Sequence, residues 1–259
     1  MTDILATEWI KLCSARSTRY VLGVIALFTA LMPLIAWYFV RVWDTLPEEG
    51  RQHSALGPLP ALMGWIASLC MAVFGSLAIS SEYSSGMIRA TFTAMPRRIA
   101  VLAAKASVVA GLAFVLTEAS LATTEVAGMI IVGNRPIAGQ APPGLGEVAL
   151  LVAMGMSTAT FALIGLAIGA ITRSALASVV ALTLVWYAVP LIATHLPGPW
   201  STVLMSIEPG ALAGELVGGT NANSVFGSAL PAWAALAAMT AYASLPVAVA
   251  MAVLERRDA

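Results

Sequence analysis

The chain has 259 residues, of which 59% are hydrophobic and 10% charged, with a formal net charge of +0. A water-soluble domain carries about a quarter charged residues, so this surface cannot be covered by charge and must face lipid. The balanced net charge names no partner, nucleic acid included, and two cysteines, Cys13 and Cys70, support no disulfide framework.

Residues 3–16, DILATEWIKLCSAR, form the first element. At 100° per residue Leu5, Ala6, Trp9, Ile10, Leu12 and Cys13 share a broad arc; Thr7, Glu8 and Lys11 lie opposite, and Ile4 is the exception. This is an amphipathic helix suited to the membrane interface, with Trp9 as its anchor. The run from Tyr20 to Val40 is too long for a signal-peptide core and ends in WYFVRVW, not in a small-residue cleavage site, so it is the first span.

A spanning helix needs about 20 mostly apolar residues. Six segments qualify: 20–40, 60–80, 99–132, 147–171, 174–196 and 231–254. Only Ile171-Thr172-Arg173-Ser174 separates the fourth from the fifth. A charge at mid-bilayer costs about 2.5–3.5 kcal/mol on insertion scales, so Arg173 belongs in a tight turn at the membrane face. With the N-terminus inside, Lys11, Arg16, Arg19, Arg89, Arg97, Arg98, Lys105, Arg173, Arg256 and Arg257 fall inside, and Arg41, Arg51 and Arg135 outside. That asymmetry puts both termini in the cytoplasm. Trp37, Tyr38, Trp43, Trp200 and Trp233 then mark the outer interface, and Trp9 and Tyr20 the inner one.

Between spans two and three lies SSEYSSGMIRATFTAMPRRIAVLAAK, residues 80–105. Ser80, Ser81 and Glu82 end the second span, and Gly86 permits a sharp turn. From 84 to 95 a short amphipathic helix gathers Ile88, Thr91, Phe92 and Met95 on one side, with Arg89 and Thr93 elsewhere. Pro96 starts the next helix, and Arg97, Arg98 and Lys105 line its inner end, from which Lys105 snorkels to the headgroups. A helix over 99–132 is roughly 50 Å long against a hydrocarbon core of about 30 Å, so it projects into the cytoplasm as a lever with a basic foot.

The second span repeats small residues at Gly64, Ser68, Ala72, Ser76 and Ser80, and the fourth contains Gly165 and Gly169. Both stripes allow close helix contact, within one chain or between two. Glu118 and Glu125, seven apart on the third span beside Thr117 and Thr124, are intramembrane acids. They fit a polar translocation path or proton binding, and equally a hydrogen bond inside a helix interface. The outer segment 197–230 is rich in Pro and Gly yet keeps the apolar stretches STVLMSI and ALAGELV. It reads as two short helices dipping into the outer leaflet or resting on it, with Glu208-Pro209 as a helix start.

Neither lysine follows the glycine spacing of a phosphate-binding loop. There is no H-E-x-x-H zinc helix, His53 and His195 being far apart, and no G-x-S-x-G elbow. The residues therefore point to no catalytic, cofactor or metal site in this chain.

The run E-Y-S-S-G-M-I-R-A-T-F-T-A-M-P-R-R-I-A-V-L-A-A-K resembles the loop after the second span in permeases of the type-2 ATP-binding-cassette (ABC) exporter family, and its wording is close to actinobacterial members. The family pattern falls on Glu82, Gly86, Pro96, Arg97, Arg98 and Lys105. Met87 stands where threonine is usual, so a hydrogen bond from that position is not carried over. The resemblance extends to the interfacial helix, the six spans and the short outer helices. It implies an all-α integral membrane protein forming a single permease domain over 1–259, with interfacial helix 1–19, coupling segment 81–98 and outer helices 197–230. It implies that 81–98 docks on a separate ABC ATPase, which would bind ATP and Mg, and that Glu82, Gly86, Arg89, Thr91, Pro96, Arg97 and Arg98 carry coupling. The expected assembly is two permease chains, identical or homologous, and two ATPases in the cytoplasmic membrane. It would export a hydrophobic or amphipathic drug, peptide or lipid-like substrate, with Glu118 and Glu125 on the path. Two alternatives are a non-transporting membrane scaffold or sensor and an ion-coupled secondary carrier dependent on Glu118.

Overall fold

The structure, a computed structural model, describes residues 2–94, 98–137, 144–197, 200–218 and 230–256. Among them are eleven helices and no strand. Six are long and apolar enough to cross a membrane: α2 (Arg16–Thr45), α4 (Leu59–Ser84), α6 (Arg98–Val132), α7 (Leu145–Thr172), α8 (Ala175–His195) and α11 (Ala232–Arg256). The chain is an all-helical, multi-pass membrane protein. The short helices are α1 (Thr2–Ser14), α3 (Glu48–Gln52), α5 (Met87–Ala94), α9 (Trp200–Ser206) and α10 (Leu212–Val217).

The centre of the bundle is the pair α4 and α7, whose windows are the most buried of the six. Glycine explains how close they come. A Cβ on Gly75 would overlap the carbonyl oxygen of Ala162; one on Gly165 would overlap that of Ala72; one on Gly169 would lie 2.7 Å from that of Ser76. The small-residue stripes therefore serve contact inside one chain, backbone against backbone. Ser68 and Thr158 add a hydroxyl pair at 3.2 Å across the same seam. Around this seam α6 packs on α7 and α4, α2 on α6 and α4, α8 on α4 and α7, and α11 on α7 and α6. Met63, Met71, Val109, Leu121 and Leu166 are fully buried in the resulting core.

Two turns set the geometry at one end. The α7–α8 connection is tight, as the sequence suggests: Arg173 takes the left-handed conformation (φ 54°) and its N–H bonds to Gly169 O at 3.0 Å. Ser174 then caps α8 by accepting from the Ala177 N–H. Between α4 and α5, Gly86 has φ +72° and its N–H bonds to Tyr83 O. Glycine holds that conformation without the clash a side chain would meet.

One detail of the sequence reading changes. Glu208-Pro209 does not start a helix: α9 ends at Ser206, α10 begins at Leu212, and Glu208 O accepts from Ala211 N at 2.9 Å in the turn between them. Proline suits a first helical turn, but it suits a tight connection equally well. The third long helix is described from Arg98 onward, and Pro96, read as its start, lies outside the described residues.

Candidate functional site: a buried ion cluster and a cavity at opposite ends

The charged face of α1 points into the protein. Glu8 is 1% exposed and Leu12 3%, whereas Trp9 is 49% and Ile10 66% exposed. An amphipathic helix on a bundle surrounded by lipid buries polar groups where the bundle supplies partners. Here the partners are charges from two other helices. Lys11 Nζ lies 2.7 Å from Glu8 Oε1 on the same helix, 3.2 Å from Thr91 Oγ1 of α5, and 3.7 Å from Glu82 Oε1 of α4. Lys105 of α6 pairs with Glu8 Oε2 and donates to Glu82 Oε1 at 2.8 Å.

The cluster thus joins α1, α4, α5 and α6 through two carboxylates and two ammonium groups, so it is neutral as a unit. Lys105 and Glu82 are 1% and 2% exposed. The sequence reading of Lys105 as a snorkelling residue is therefore wrong. Its ammonium ends on Glu8 and Glu82, not on headgroups, because a paired buried charge avoids the cost of an unpaired one. Removing one partner of such a pair typically costs about 3–5 kcal/mol, since the other charge stays behind.

Around the cluster, the predicted coupling residues divide. Glu82 is at its centre, Thr91 at its edge, and Gly86 forms the turn that brings α5 back under α4. Ile88 is buried beside Thr91. Arg98 opens α6 and donates to Leu254 O of α11 at 3.4 Å. Arg89 belongs to α5, but its side chain is outside the described ones, and Pro96 and Arg97 lie outside the described residues altogether. Arg173 places its guanidinium 5.4 Å from the ring of Tyr83, tying the α7–α8 turn to the end of α4.

Glu118 and Glu125 lie farther along α6 and belong neither to the cluster nor to the cavity described next. Glu118 rests its carboxyl against Gly155 of α7, where a Cβ would overlap Oε1. Thr117 and Thr124 beside them are fully buried.

At the opposite end a cavity of about 750 Å³ opens among α4, α7, α8 and the α9–α10 region. Its walls include Trp65, Ser68, Ser157, Trp186, Glu208 and Glu215. Phe161 holds Trp186 edge-on with centroids 4.6 Å apart, and Trp65 lies 6.0 Å from Trp186. Ser157 donates to Pro209 O at 2.7 Å, which fastens the α9–α10 turn to α7. Burial pushes the Glu208 carboxyl above the ordinary carboxylate range, partly countered by the Gly210 N–H. Glu215 is 4% exposed and accepts from Leu230 N at 3.2 Å.

Sequence reasoning did not find Glu8, Lys11 and Lys105 as one site, nor Glu208 and Glu215. A signal existed for the first group: Glu8 and Lys11 are three apart on a helix whose other side is apolar. Their partners are too distant in the chain to be read.

A polytopic helical bundle with an ion cluster where its re-entering helix meets α4, and no phosphate-binding loop, is the kind of membrane subunit that is worked by another protein. Comparison with known families agrees: the family described as ABC-2 family transporter protein matches residues 4–190, well over half of the chain. The chain belongs to that family. Its permeases are membrane components without an ATPase of their own, and the ATPase is a separate subunit. A comparison with curated proteins gives no match. The matched residues include most of α1, α2 to α7 and most of α8, hence the whole ion cluster; α9, α10 and α11 lie beyond them.

Proposed function

We propose that this chain is the transmembrane permease of an ATP-driven exporter, and that the segment from Glu82 to Arg98 passes the motion of a separate ABC ATPase into the bundle. The observation that carries this reading is the buried Glu8–Lys11–Glu82–Lys105 cluster. It ties the candidate coupling helix α5 and the amphipathic helix α1 to α4 and α6, two of the long helices that define the core. Force applied to α5 is transmitted through a connection with few soft degrees of freedom. Multiple ion pairs among ordered side chains resist displacement better than apolar contact alone, because an opened pair leaves buried charge unpaired.

In this reading ATP and Mg reside on the partner subunit, both termini are cytoplasmic, and the assembly holds two permease chains, identical or homologous, with two ATPases in the cytoplasmic membrane. The substrate is hydrophobic or amphipathic. α1 lies at the inner interface with Trp9 and Ile10 toward lipid, consistent with their exposure.

The test is coexpression of the chain with its cognate ATPase in vesicles, reading ATP hydrolysis and transport together. Replacing Gly86 by tryptophan should leave the chain in the membrane and the ATPase active, while transport is lost. The φ of +72° at Gly86 makes any side chain strained there, so α5 would be displaced. Normal transport by Gly86→Trp, or failure of crosslinkers on α5 to capture a nucleotide hydrolase, would defeat the proposal.

A further inference from the structure

We propose that the cavity remote from the ion cluster holds one acyl chain of a bilayer lipid, drawn from the leaflet at that end of the bundle. Such binding goes beyond the permease reading, since it needs neither the ATPase nor a direction of transport. The chemistry of the wall, the place of the mouth and the depth of the cleft lead there.

The hydroxyls and carboxyls on the wall are engaged by the protein itself. Ser68 donates to Gly64 O at 2.8 Å and meets Thr158 Oγ1 at 3.2 Å, and Ser157 donates to Pro209 O at 2.7 Å. Glu215 accepts from Leu230 N at 3.2 Å. Glu208 takes the Gly210 N–H, and burial favours its neutral, protonated form. The indole nitrogen of Trp186 is buried, so that residue meets the cavity through its ring. What remains for a ligand is apolar and aromatic surface, from Leu59, Leu62, Trp65, Leu150, Met154 and Met205. A charged headgroup gains little from such a wall, because burying charge without a partner is costly; a hydrocarbon chain loses nothing there.

The mouth is on the side of the bundle. Leu62 and Trp65 line the cavity yet are 45% and 49% exposed, and Ile35 of α2, which also lines it, is 36% exposed. α4 packs on both α2 and α8, and all three are long and apolar enough to cross a membrane, so the opening between them faces hydrocarbon. On α4 the lining runs from Leu59, where the helix begins, to Ser68. At about 1.5 Å per residue that is about 14 Å, close to half of a hydrocarbon core about 30 Å thick. A cleft of about 750 Å³, one leaflet deep and open to the side, suits a chain lying along the bundle. A helix of a second copy would cover the mouth and leave the depth unfilled. Moving a chain from lipid into this cleft takes no apolar surface out of water, so dispersion decides, and it favours rigid neighbours on several sides over fluid ones. The aromatic wall supplies them: Trp65 lies 6.0 Å from Trp186 and 6.4 Å from Tyr187, and Phe161 braces Trp186 at 4.6 Å.

The experiment places the purified full chain in nanodiscs containing phosphatidylcholine with a diazirine midway along one acyl chain. After irradiation, the labelled residues are mapped by peptide mass spectrometry. Labelling per residue at Leu62, Trp65 and Met154 should exceed that at Leu236 and Leu245, exposed residues of α11, by about fivefold or more, as a preference near 1 kcal/mol gives. Ala61→Phe, which puts a ring into the cleft, should bring the cavity labelling down to the α11 level. Ala237→Phe, on the exposed side of α11, should leave it unchanged. Even labelling of every lipid-facing helix would reduce the ligand to ordinary surrounding lipid and overturn the site. So would unchanged cavity labelling in Ala61→Phe, or crosslinks from Leu62 and Trp65 to a second copy with no lipid adduct there. The map of the unaltered chain needs no variant to fold. Cavity labelling in a chain that transports nothing with its cognate ATPase would support the site and count against the permease reading. Transport without cavity labelling would count against the site alone.

Discussion

The two ends of this bundle use the same acidic residue type in opposite ways. At one end Glu8 and Glu82 are buried beside Lys11 and Lys105, and every charge has a counter-charge within 4 Å. At the other, Glu208 and Glu215 share a cavity wall with Trp65 and Trp186. The first arrangement is closed: its charges are consumed inside the protein and serve to hold four helices together. The second lies against backbone: Glu208 takes the Gly210 N–H and Glu215 the Leu230 N–H. The difference teaches that in lipid a carboxylate's neighbours, more than its depth, decide what it holds together.

The largest effect in this comparison belongs to Lys105. Lys105→Met leaves Glu8 and Glu82 without their shared ammonium group and should cost about 3–5 kcal/mol. Fluorescence-detected size-exclusion after a heat step measures it. Exchanging the pair, Glu82→Lys with Lys105→Glu, should recover part of the loss; no recovery would mean that shape and not charge holds the joint. Gly165→Ala comes next. Its Cβ would collide with the Ala72 carbonyl, so α4 and α7 must part, at roughly 1–3 kcal/mol for overpacking. A matched Gly23→Ala, on a helix position with open space around its Cβ, should leave the same heat curve unmoved.

A smaller effect concerns pH. Glu208 has a raised folded-state pKa, from an ordinary value of 4.5, so the folded chain holds its proton more tightly than the unfolded one. Stability is then lost as pH rises from about 4.5 through the raised value. Glu208→Gln should therefore stabilise the chain at neutral pH relative to the unaltered protein, with the advantage fading as pH falls toward 4.5. The smallest effect is expected at Asp44, which meets Arg135 in a two-pronged pair at 2.9 and 3.0 Å on the exposed rim. Water screens such a pair, so Asp44→Asn should leave the thermal midpoint within experimental error. A large drop there would show that the rim, not the core, limits stability.

Much of the scaffold was legible because hydropathy is local. Six apolar runs, a tight turn around Arg173 and a glycine hinge at 86 each depend on a few consecutive residues, and each has its counterpart in the structure. The coupling segment was legible as a departure from an apolar text. What misled was treating a helix as alone with its bilayer: Lys105 near a helix end was assigned to headgroups, and the polar side of α1 had no assigned partner.

The residues alone determined that this chain lives in a membrane, that it crosses it with six helices, and that any energy from ATP has to be delivered by another protein. Only tertiary structure decided where its charges go. Glu8, Lys11, Glu82, Thr91 and Lys105 are spread over nearly a hundred residues, and Trp65, Trp186, Glu208 and Glu215 over more. No local pattern encodes such meetings; the glycine-lined contact of α4 with α7 does, by fixing how the remaining helices must pack around it.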